Sequence, residues 1–317
     1  MQTLKRRQFN LSFALLFLLA LVPVMHGCSK SKENNAAAPA ASAPVAKAGD
    51  GKAITVKGSD TMINLSQRWA EVYMKDHPEV TIQVTGGGSG TGIAALLNGT
   101  TDVANLSRPA KPKEIEQAKA GGKELKEFKV AVDGLAVIVN QDNPVKELSL
   151  KQLEGIYTGQ INNWKEVGGK DQSILRYCRE SNSGTYVFFK EHVLEDKDYA
   201  ADCQSLPGTA AVAEAIARDP SGIGHGGVAY FTKRPELKIL AVKKDDTSEA
   251  ISPVTAEREV NNVAIRELKY PISRYLYVYT MGEPSGNVKA WLDWILSVPG
   301  QKTVESVGYV SLAEIKN

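Results

Sequence analysis

Apolar residues recur along the chain in two alternating patterns, short runs typical of β-strands and longer segments with helical spacing. After a predicted strand at 53–57, the segment 62–75 carries its large apolar side chains on one helical face, and Pro78 closes it. Strands at 80–85 and 102–106, with a short helix at 90–98 between them, complete a βαβαβ run. Such a run predicts a parallel sheet with right-handed crossovers.

The second half of the chain continues the alternation. The continuous apolar run 135–140 predicts a buried strand or a crossover between two lobes. The glycine-rich segment 222–227 is predicted to be a turn. Further helices are predicted at 149–157, 185–194, 210–218 and 287–297, and further strands at 174–178 and 274–280. The pattern predicts an α/β protein of two lobes, the first discontinuous (53–134 and 272–317) and the second at 135–271.

The N-terminal segment has the features of an export signal. Basic residues at 5–7 precede an apolar run at 11–25, which is shorter than the roughly 18 to 20 residues of a membrane-spanning helix. The run ends at Cys28 in a motif that resembles a bacterial lipobox, so we predict a signal peptide at 1–28 and lipidation of Cys28; ordinary cleavage nearby is the alternative. The two arginines resemble a twin-arginine motif or belong to a plain basic n-region.

The composition and charge of the chain limit which functional classes and which ligands fit it. Residues 29–52 are poor in large apolar side chains and predict a flexible tether. A net charge of +2 lacks the basic excess of a nucleic-acid-binding protein. The four histidines are scattered, so we predict no metal or cofactor. Once Cys28 is set aside, Cys178 and Cys203 are predicted to form a disulfide in an oxidising compartment, with two buried thiols as the alternative.

Three serines stand at predicted strand-to-helix turns. They are Ser59 in GSDT (58–61), Ser89 in GGGSGTG (86–92) and Ser183 in RESNSGT (179–185). Each turn places a hydroxyl and unpaired backbone N–H groups at a helix N-terminus, where the local field favours an anion. Arg179 adds a planar guanidinium that can donate to two oxygens at once. We therefore predict one site for a small tetrahedral oxyanion, beyond the carboxyl ends of the strands.

The motifs occur in an order that is similar to a known family. GSDT, GGGSGTG, DVANLSRP, DGLAVIVN, IYTGQINNW, RESNSGT and YPISRYLYVYT resemble the substrate-binding proteins of ABC-type phosphate importers, over nearly all of the chain from residue 54 onward. The resemblance implies a type II periplasmic-binding-protein fold, with the ligand in the cleft between the lobes. It further implies a monomer in the periplasm or on the cell surface, which binds inorganic phosphate and delivers it to a membrane permease.

The resemblance also implies a set of ligand-binding residues. Met62 would contribute through its backbone N–H, and the full set is Ser59, Asp60, Thr61, Met62, Ser89, Ser107, Arg108, Arg179, Ser183, Gly184 and Thr185. One departure concerns an aspartate that accepts the proton of hydrogen phosphate and repels sulfate in this family. Ser107 stands at that position and Arg108 follows it, so sulfate and arsenate remain alternative ligands. Asp60 is an alternative proton acceptor, ahead of Asp102, which is interpreted as a strand-start residue.

Two other functional classes are alternatives to an oxyanion receptor. A phosphatase or phosphotransferase would use Ser89 or Ser183 as a nucleophile, which requires a base or a metal. The sequence contains no histidine or carboxylate cluster at suitable spacing, so we predict that the protein is not an enzyme. A phosphate-sensing or surface protein on the same fold is the other alternative.

Overall fold

Strands and helices alternate through residues 53–315, the part of the chain that the computed structural model describes. The strands are β1 (Ala53–Gly58), β2 (Thr81–Thr85), β3 (Val103–Leu106), β4 (Leu125–Asn140), β5 (Glu147–Ser149), β6 (Leu175–Arg179), β7 (Gln204–Leu206), β8 (Gly222–Gly227), β9 (Leu237–Lys243) and β10 (Ser273–Met281). The helices are α1 (Ile63–Asp76), α2 (Ser89–Leu97), α3 (Pro112–Ala120), α4 (Leu150–Tyr157), α5 (Gly184–His192), α6 (Gly208–Arg218), α7 (Asn262–Arg266), α8 (Gly286–Leu296) and α9 (Val298–Ser306).

The sheet runs in the order β2-β1-β3-β10-β4-β8-β6-β7, with β9 pairing β4 and β5. Strand β1 pairs in parallel with both β2 and β3, so the predicted βαβαβ run is confirmed. In the second lobe β6 pairs in parallel with β7 and β8. The carboxyl ends of these parallel strands are the ends from which the three serine turns lead.

Strands β4 and β10 are antiparallel neighbours at the middle of the sheet. The first part of β4 pairs with β10, and its last residues pair with β8 and β9, so one strand serves both lobes. The predicted strand at 135–140 is only the end of this element. Residues 125–134 were not predicted to form a strand, because charged side chains, including Lys126 and Lys129, interrupt their apolar pattern.

Two large apolar clusters lie on either side of these crossover strands. One contains Trp69, Trp291 and Leu276, and joins α1 and α8 to the first-lobe strands. The other contains Trp164 and Phe189 among the second-lobe elements. These three of the four tryptophans are almost completely buried, and Trp294 is partly buried against the first cluster, so all four have a packing role.

The predicted turn at 222–227 is wrong, because these residues form β8 and are entirely buried between β4 and β6. Its glycines are required by the close approach of α6. A Cβ atom at Gly224 would lie 2.6 Å from Cγ1 of Val212, and one at Gly226 would lie 2.5 Å from Cγ2 of Thr209. Glycine is used here for close packing between a helix and a strand rather than for a turn.

The predicted disulfide is absent, since Cys178 and Cys203 are both free thiols. They are neighbours, because Cys178 lies on β6 and Cys203 immediately precedes the paired strand β7. A hydrogen bond between the two thiols lowers the pKa of Cys178 and raises that of Cys203.

Within residues 53–315, no helix combines the length and the hydrophobicity needed to span a bilayer. The predicted signal peptide at 1–28, its lipidated Cys28 and the tether at 29–52 lie outside the described residues and stay predictions.

Candidate anion-binding site

Three helix starts meet where the two lobes face each other. The end of β1 leads into a 3₁₀ turn at Asp60–Met62 and then α1, β2 leads into α2, and β6 leads into α5. The three serines of these turns are buried: Ser59 is 3% exposed, Ser89 is 0% and Ser183 is 2%. The helix N-termini therefore direct their positive dipole ends towards a site from which water is largely excluded.

First-lobe hydroxyls form a connected group around Ser107. The Ser59 hydroxyl donates to Ser107 Oγ at 2.9 Å, and the Ser89 and Ser107 hydroxyls are 3.4 Å apart. The Ser107 backbone N–H also donates to Ser89 Oγ at 3.1 Å. Hydroxyls can rotate to donate or to accept, so this group can adapt to an oxyanion in either protonation state.

Polar groups of the second lobe approach the same place. The Thr61 and Thr185 hydroxyls are 3.0 Å apart across the cleft. The Gly90 N–H donates to the Asn182 carbonyl at 2.8 Å, which joins the α2 turn to the α5 turn. The two lobes are thus in contact through the turns that carry the predicted ligand-binding residues.

Arg179 is buried, with 1% exposure, and reaches the site from the end of β6. Its Nη2 donates to Asp60 Oδ2 at 2.7 Å, and its Nη1 donates to Thr209 Oγ1 at 3.1 Å. Burial lowers the pKa of Arg179, Asp60 opposes that shift, and the nearby Arg274 adds to it. Asp60 also accepts the Gly87 N–H at 2.8 Å through Oδ1, so both of its oxygens already have donors.

The α5 start is built from Ser183 and Gly184. Ser183 Oγ accepts the N–H groups of Thr185 and Tyr186 at 3.2 and 3.4 Å, an N-cap that fixes the first turn. A Cβ atom at Gly184 would lie 2.3 Å from Ser89 Oγ and 2.6 Å from Ser107 Oγ. Glycine therefore lets the helix start approach the first-lobe hydroxyls directly.

Two predicted residues are engaged elsewhere. Arg108 is 4% exposed and forms a two-pronged ion pair with Glu114, at 2.9 Å from Nη1 and 2.7 Å from Nη2. Its Nη1 also donates to the Pro109 carbonyl. The Met62 N–H donates to the Ser59 carbonyl at 3.0 Å and closes the 3₁₀ turn. Neither the Arg108 guanidinium nor the Met62 N–H therefore donates to the cluster of serine hydroxyls around Ser107.

Three buried residues near the site were not predicted. Arg274 and Asp133 lie opposite each other on β10 and β4, and His225 lies on β8. Burial raises the pKa of Asp133, and the Arg274 charge opposes this. The sequence did offer a signal for Arg274 and Asp133. Each is a charged residue within an otherwise apolar strand motif, and a buried charge requires a partner.

His225 was interpreted as a turn residue and is instead stacked on Phe189, with ring centroids 3.9 Å apart. Burial, with smaller effects of Arg179 and Arg274, lowers its pKa to about 3. Neither ring nitrogen has a hydrogen-bond partner among the described residues. The lowered pKa keeps the imidazole neutral at ordinary pH. Residues 53–315 contain no group of three potential metal-ligating side chains.

A family model described as a PBP superfamily domain matches residues 38–298. The phosphate-binding protein PstS of Bacillus subtilis is 36% identical over 264 residues, which cover 83% of this chain and 82% of the relative. The chain belongs to the PstS family of phosphate-binding proteins. PstS of Pseudomonas aeruginosa strain PAO1 is 32% identical over 273 residues, which cover 80% of this chain and 81% of that protein.

Solved structures of the same family share the fold. A phosphate ABC transporter substrate-binding protein from Clostridium perfringens with bound phosphate has a TM-score of 0.72 and 28% identity, covering 82% of this chain and all of that one (100%). An ABC-type phosphate transport receptor from Vibrio cholerae has a TM-score of 0.65 and 29% identity, and the match covers 81% of this chain and 99% of that one. The predicted two-lobed α/β fold of periplasmic binding proteins is therefore confirmed.

Proposed function

We propose that this protein binds inorganic phosphate outside the cytoplasm and delivers it to the permease of an ABC-type importer. The observation that carries the proposal is that the three helix starts approach one another at a cluster of buried hydroxyls, with Arg179 buried beside them and paired with Asp60 of the first turn. Helix N-termini, hydroxyls and guanidinium groups are the donors that phosphate accepts from proteins. The relatives named for phosphate binding, and the related structure with bound phosphate, support the choice of ligand.

We place the phosphate between the first-lobe hydroxyls and the start of α5. The proposed contacts are Ser59, Thr61, Ser89, Ser107, Arg179, Ser183, Gly184 and Thr185. Asp60 would act on Arg179, because its carboxylate holds the guanidinium in place. For Arg108 we propose a structural role instead, which its ion pair with Glu114 supports.

The same geometry supports binding without turnover. The Ser89 hydroxyl is hydrogen-bonded to Ser107, and His225 is stacked against Phe189 rather than placed as a base for a serine. A serine nucleophile needs such a base. We therefore propose that the protein is not a phosphatase, and that an aryl phosphate would be left intact.

The remaining parts of the proposal concern the chain as a whole. Lobe boundaries near 134/135 and 271/272 are supported by the two apolar clusters, because one lies within 53–134 and 272–317 and the other lies mainly within 135–271, with Val132, Ile272 and Val310 as exceptions. Anchoring through lipid on Cys28, export by the segment 1–28 and a monomeric state follow from the sequence and the family resemblance.

Calorimetry with phosphate, sulfate and arsenate tests the function. Wild-type protein should bind phosphate tightly, and Arg179→Ala should weaken binding by about 2 to 5 kcal/mol, because a charge-assisted pair to the ligand is lost. Arg234→Ala is the matched control, since Arg234 forms ion pairs with Glu214 and Glu236 on the surface.

Sulfate should compete detectably at high excess, because the Ser107 hydroxyl at the centre of the group can donate to a fully ionised anion as well as accept a proton. Folded wild-type protein that binds no phosphate would refute the proposed function. Complete exclusion of sulfate would show that a carboxylate, rather than Ser107, accepts the phosphate proton.

A further inference from the structure

A second buried arginine stands beside the proposed phosphate site. Arg274 lies on β10 directly opposite Asp133 on β4, the two strands that cross between the lobes. Arg274 is 3% exposed and Asp133 is 0% exposed. Both charges have therefore been taken out of water at the junction of the two lobes.

The Arg274 guanidinium has two differently occupied sides. Its Nε and Nη2 donate to Asp133 Oδ2 at 3.1 and 2.8 Å, and its Nη1 donates to the Ser107 carbonyl at 3.1 Å. Its Nη2 also reaches the Thr185 hydroxyl at 3.0 Å and the Thr61 hydroxyl at 3.5 Å. One side is fixed by the carboxylate, and the other faces the two threonines that meet across the cleft.

Stability alone gives a weak reason for such a pair. Replacing a buried ion pair by apolar residues of similar volume is often neutral or stabilising, because desolvation offsets the attraction between the charges. Here Asp133 balances the charge of the guanidinium, and Nη2 also ends on two hydroxyls from opposite lobes, which are weaker acceptors than an anion. An oxyanion placed between these hydroxyls would accept a charge-assisted hydrogen bond from the same nitrogen.

We propose that Arg274 is a second arginine that contacts the bound phosphate, and that Asp133 is the positioning residue that holds its guanidinium towards the Thr61 and Thr185 hydroxyls. This inference rests on the proposed function, because it extends the same site. Each arginine of the site then has its own carboxylate, Arg179 with Asp60 and Arg274 with Asp133. The site is neutral before phosphate enters, so the charge of the ligand is met by oriented donors rather than by excess positive charge.

The test uses a neutral replacement of the whole pair, since Arg274→Gln alone would leave Asp133 buried without its partner. In the Asp133→Asn/Arg274→Gln protein, phosphate should bind roughly tenfold to a hundredfold more weakly by calorimetry, the effect of losing one charge-assisted hydrogen bond. Arg266→Gln is the control, because Arg266 bonds Glu305 and Ser311. A folded double variant with a dissociation constant within threefold of wild type would overturn the inference.

Positioning by Asp133 has its own readout. Asp133→Asn should weaken phosphate binding when Arg274 is present, and in the Arg274→Gln background it should leave binding unchanged or restore part of it, because the carboxylate there has lost its partner. Equal effects in both backgrounds would overturn the positioning role.

A measurement on wild-type protein decides the question if the variants do not fold. The guanidinium ¹⁵N chemical shift of Arg274 should move on saturation with phosphate, while that of Arg266 should not. An unmoved Arg274 signal would overturn the contact. Wild-type protein that binds no phosphate refutes the proposed function itself, whereas wild-type binding with unaffected variants refutes only the role of Arg274.

Discussion

His225 is the residue whose burial has the clearest consequence for stability. Its pKa is about 3 in the folded protein, against an ordinary value of 6.5, because the ring is desolvated and two arginines lie near it. The unfolded chain therefore binds the additional proton between these two values. The contribution of His225 to stability is complete above about pH 6.5 and is lost progressively as the pH falls towards 3.

We predict that the free energy of unfolding depends less on pH in His225→Leu than in wild type between pH 7 and 5. The difference should be on the order of 1 kcal/mol per pH unit below the unfolded pKa, since one proton is taken up on unfolding. Urea unfolding at several pH values measures it, with His77→Gln as a surface control. Identical pH dependence in wild type and His225→Leu would contradict the account of His225.

Among the helices, α5 combines a structural cap with the proposed binding role. Ser183 caps α5 through the N–H groups of Thr185 and Tyr186, and Ser149 caps α4 through the N–H of Gln152. The two helices are of similar length, with nine and eight residues. Their caps are therefore a matched pair, of which one faces the proposed ligand.

Ser183→Ala and Ser149→Ala should each destabilise the protein by about 1 kcal/mol, the usual effect of losing an N-cap. Only Ser183→Ala should also weaken phosphate binding, because its hydroxyl and the helix start beside it are proposed to contact the ligand. Calorimetry and urea unfolding on both variants separate the two effects. Equal phosphate affinities in the two variants would remove Ser183 from the site.

In the whole molecule, the two lobes are joined by β4 and β10 and also by bonds across the cleft. The cleft bonds include the Gly90 N–H to the Asn182 carbonyl and the Asp60–Arg179 ion pair. The strands would connect the lobes in an open arrangement as well, whereas the cleft bonds form only while the lobes are in contact. A ligand that contacts both lobes shifts the population towards the closed state.

We expect the Gly90 amide to exchange its hydrogen at least about tenfold faster without phosphate than with saturating phosphate, because opening breaks its bond to Asn182. The Asp102 amide, bonded to the Thr55 carbonyl within the first lobe, is the internal control. Hydrogen exchange followed by NMR gives both rates. An unchanged Gly90 rate would mean that phosphate does not control closure.

Sequence by itself determined the elements whose signals are local. The helical stripe of α1, the strands β1 to β3 and the helix predicted at 149–157 depend on residues within a few positions of each other, so their patterns could be interpreted without the fold. The three serine turns could also be recognised from local sequence. Because each turn follows a predicted strand and precedes a predicted helix, the site was expected beyond the carboxyl ends of the strands.

Tertiary structure decided the features that depend on distant partners. The glycines of β8 are explained by α6, which packs on them, and the Arg108 guanidinium forms an ion pair with Glu114, away from the proposed phosphate contacts. Arg274 and Asp133 are 141 residues apart in sequence and meet through the register of two antiparallel strands. Local patterns report which side chains a segment buries, but the partner of a buried charge is chosen by the strand register and by the packing of the lobes.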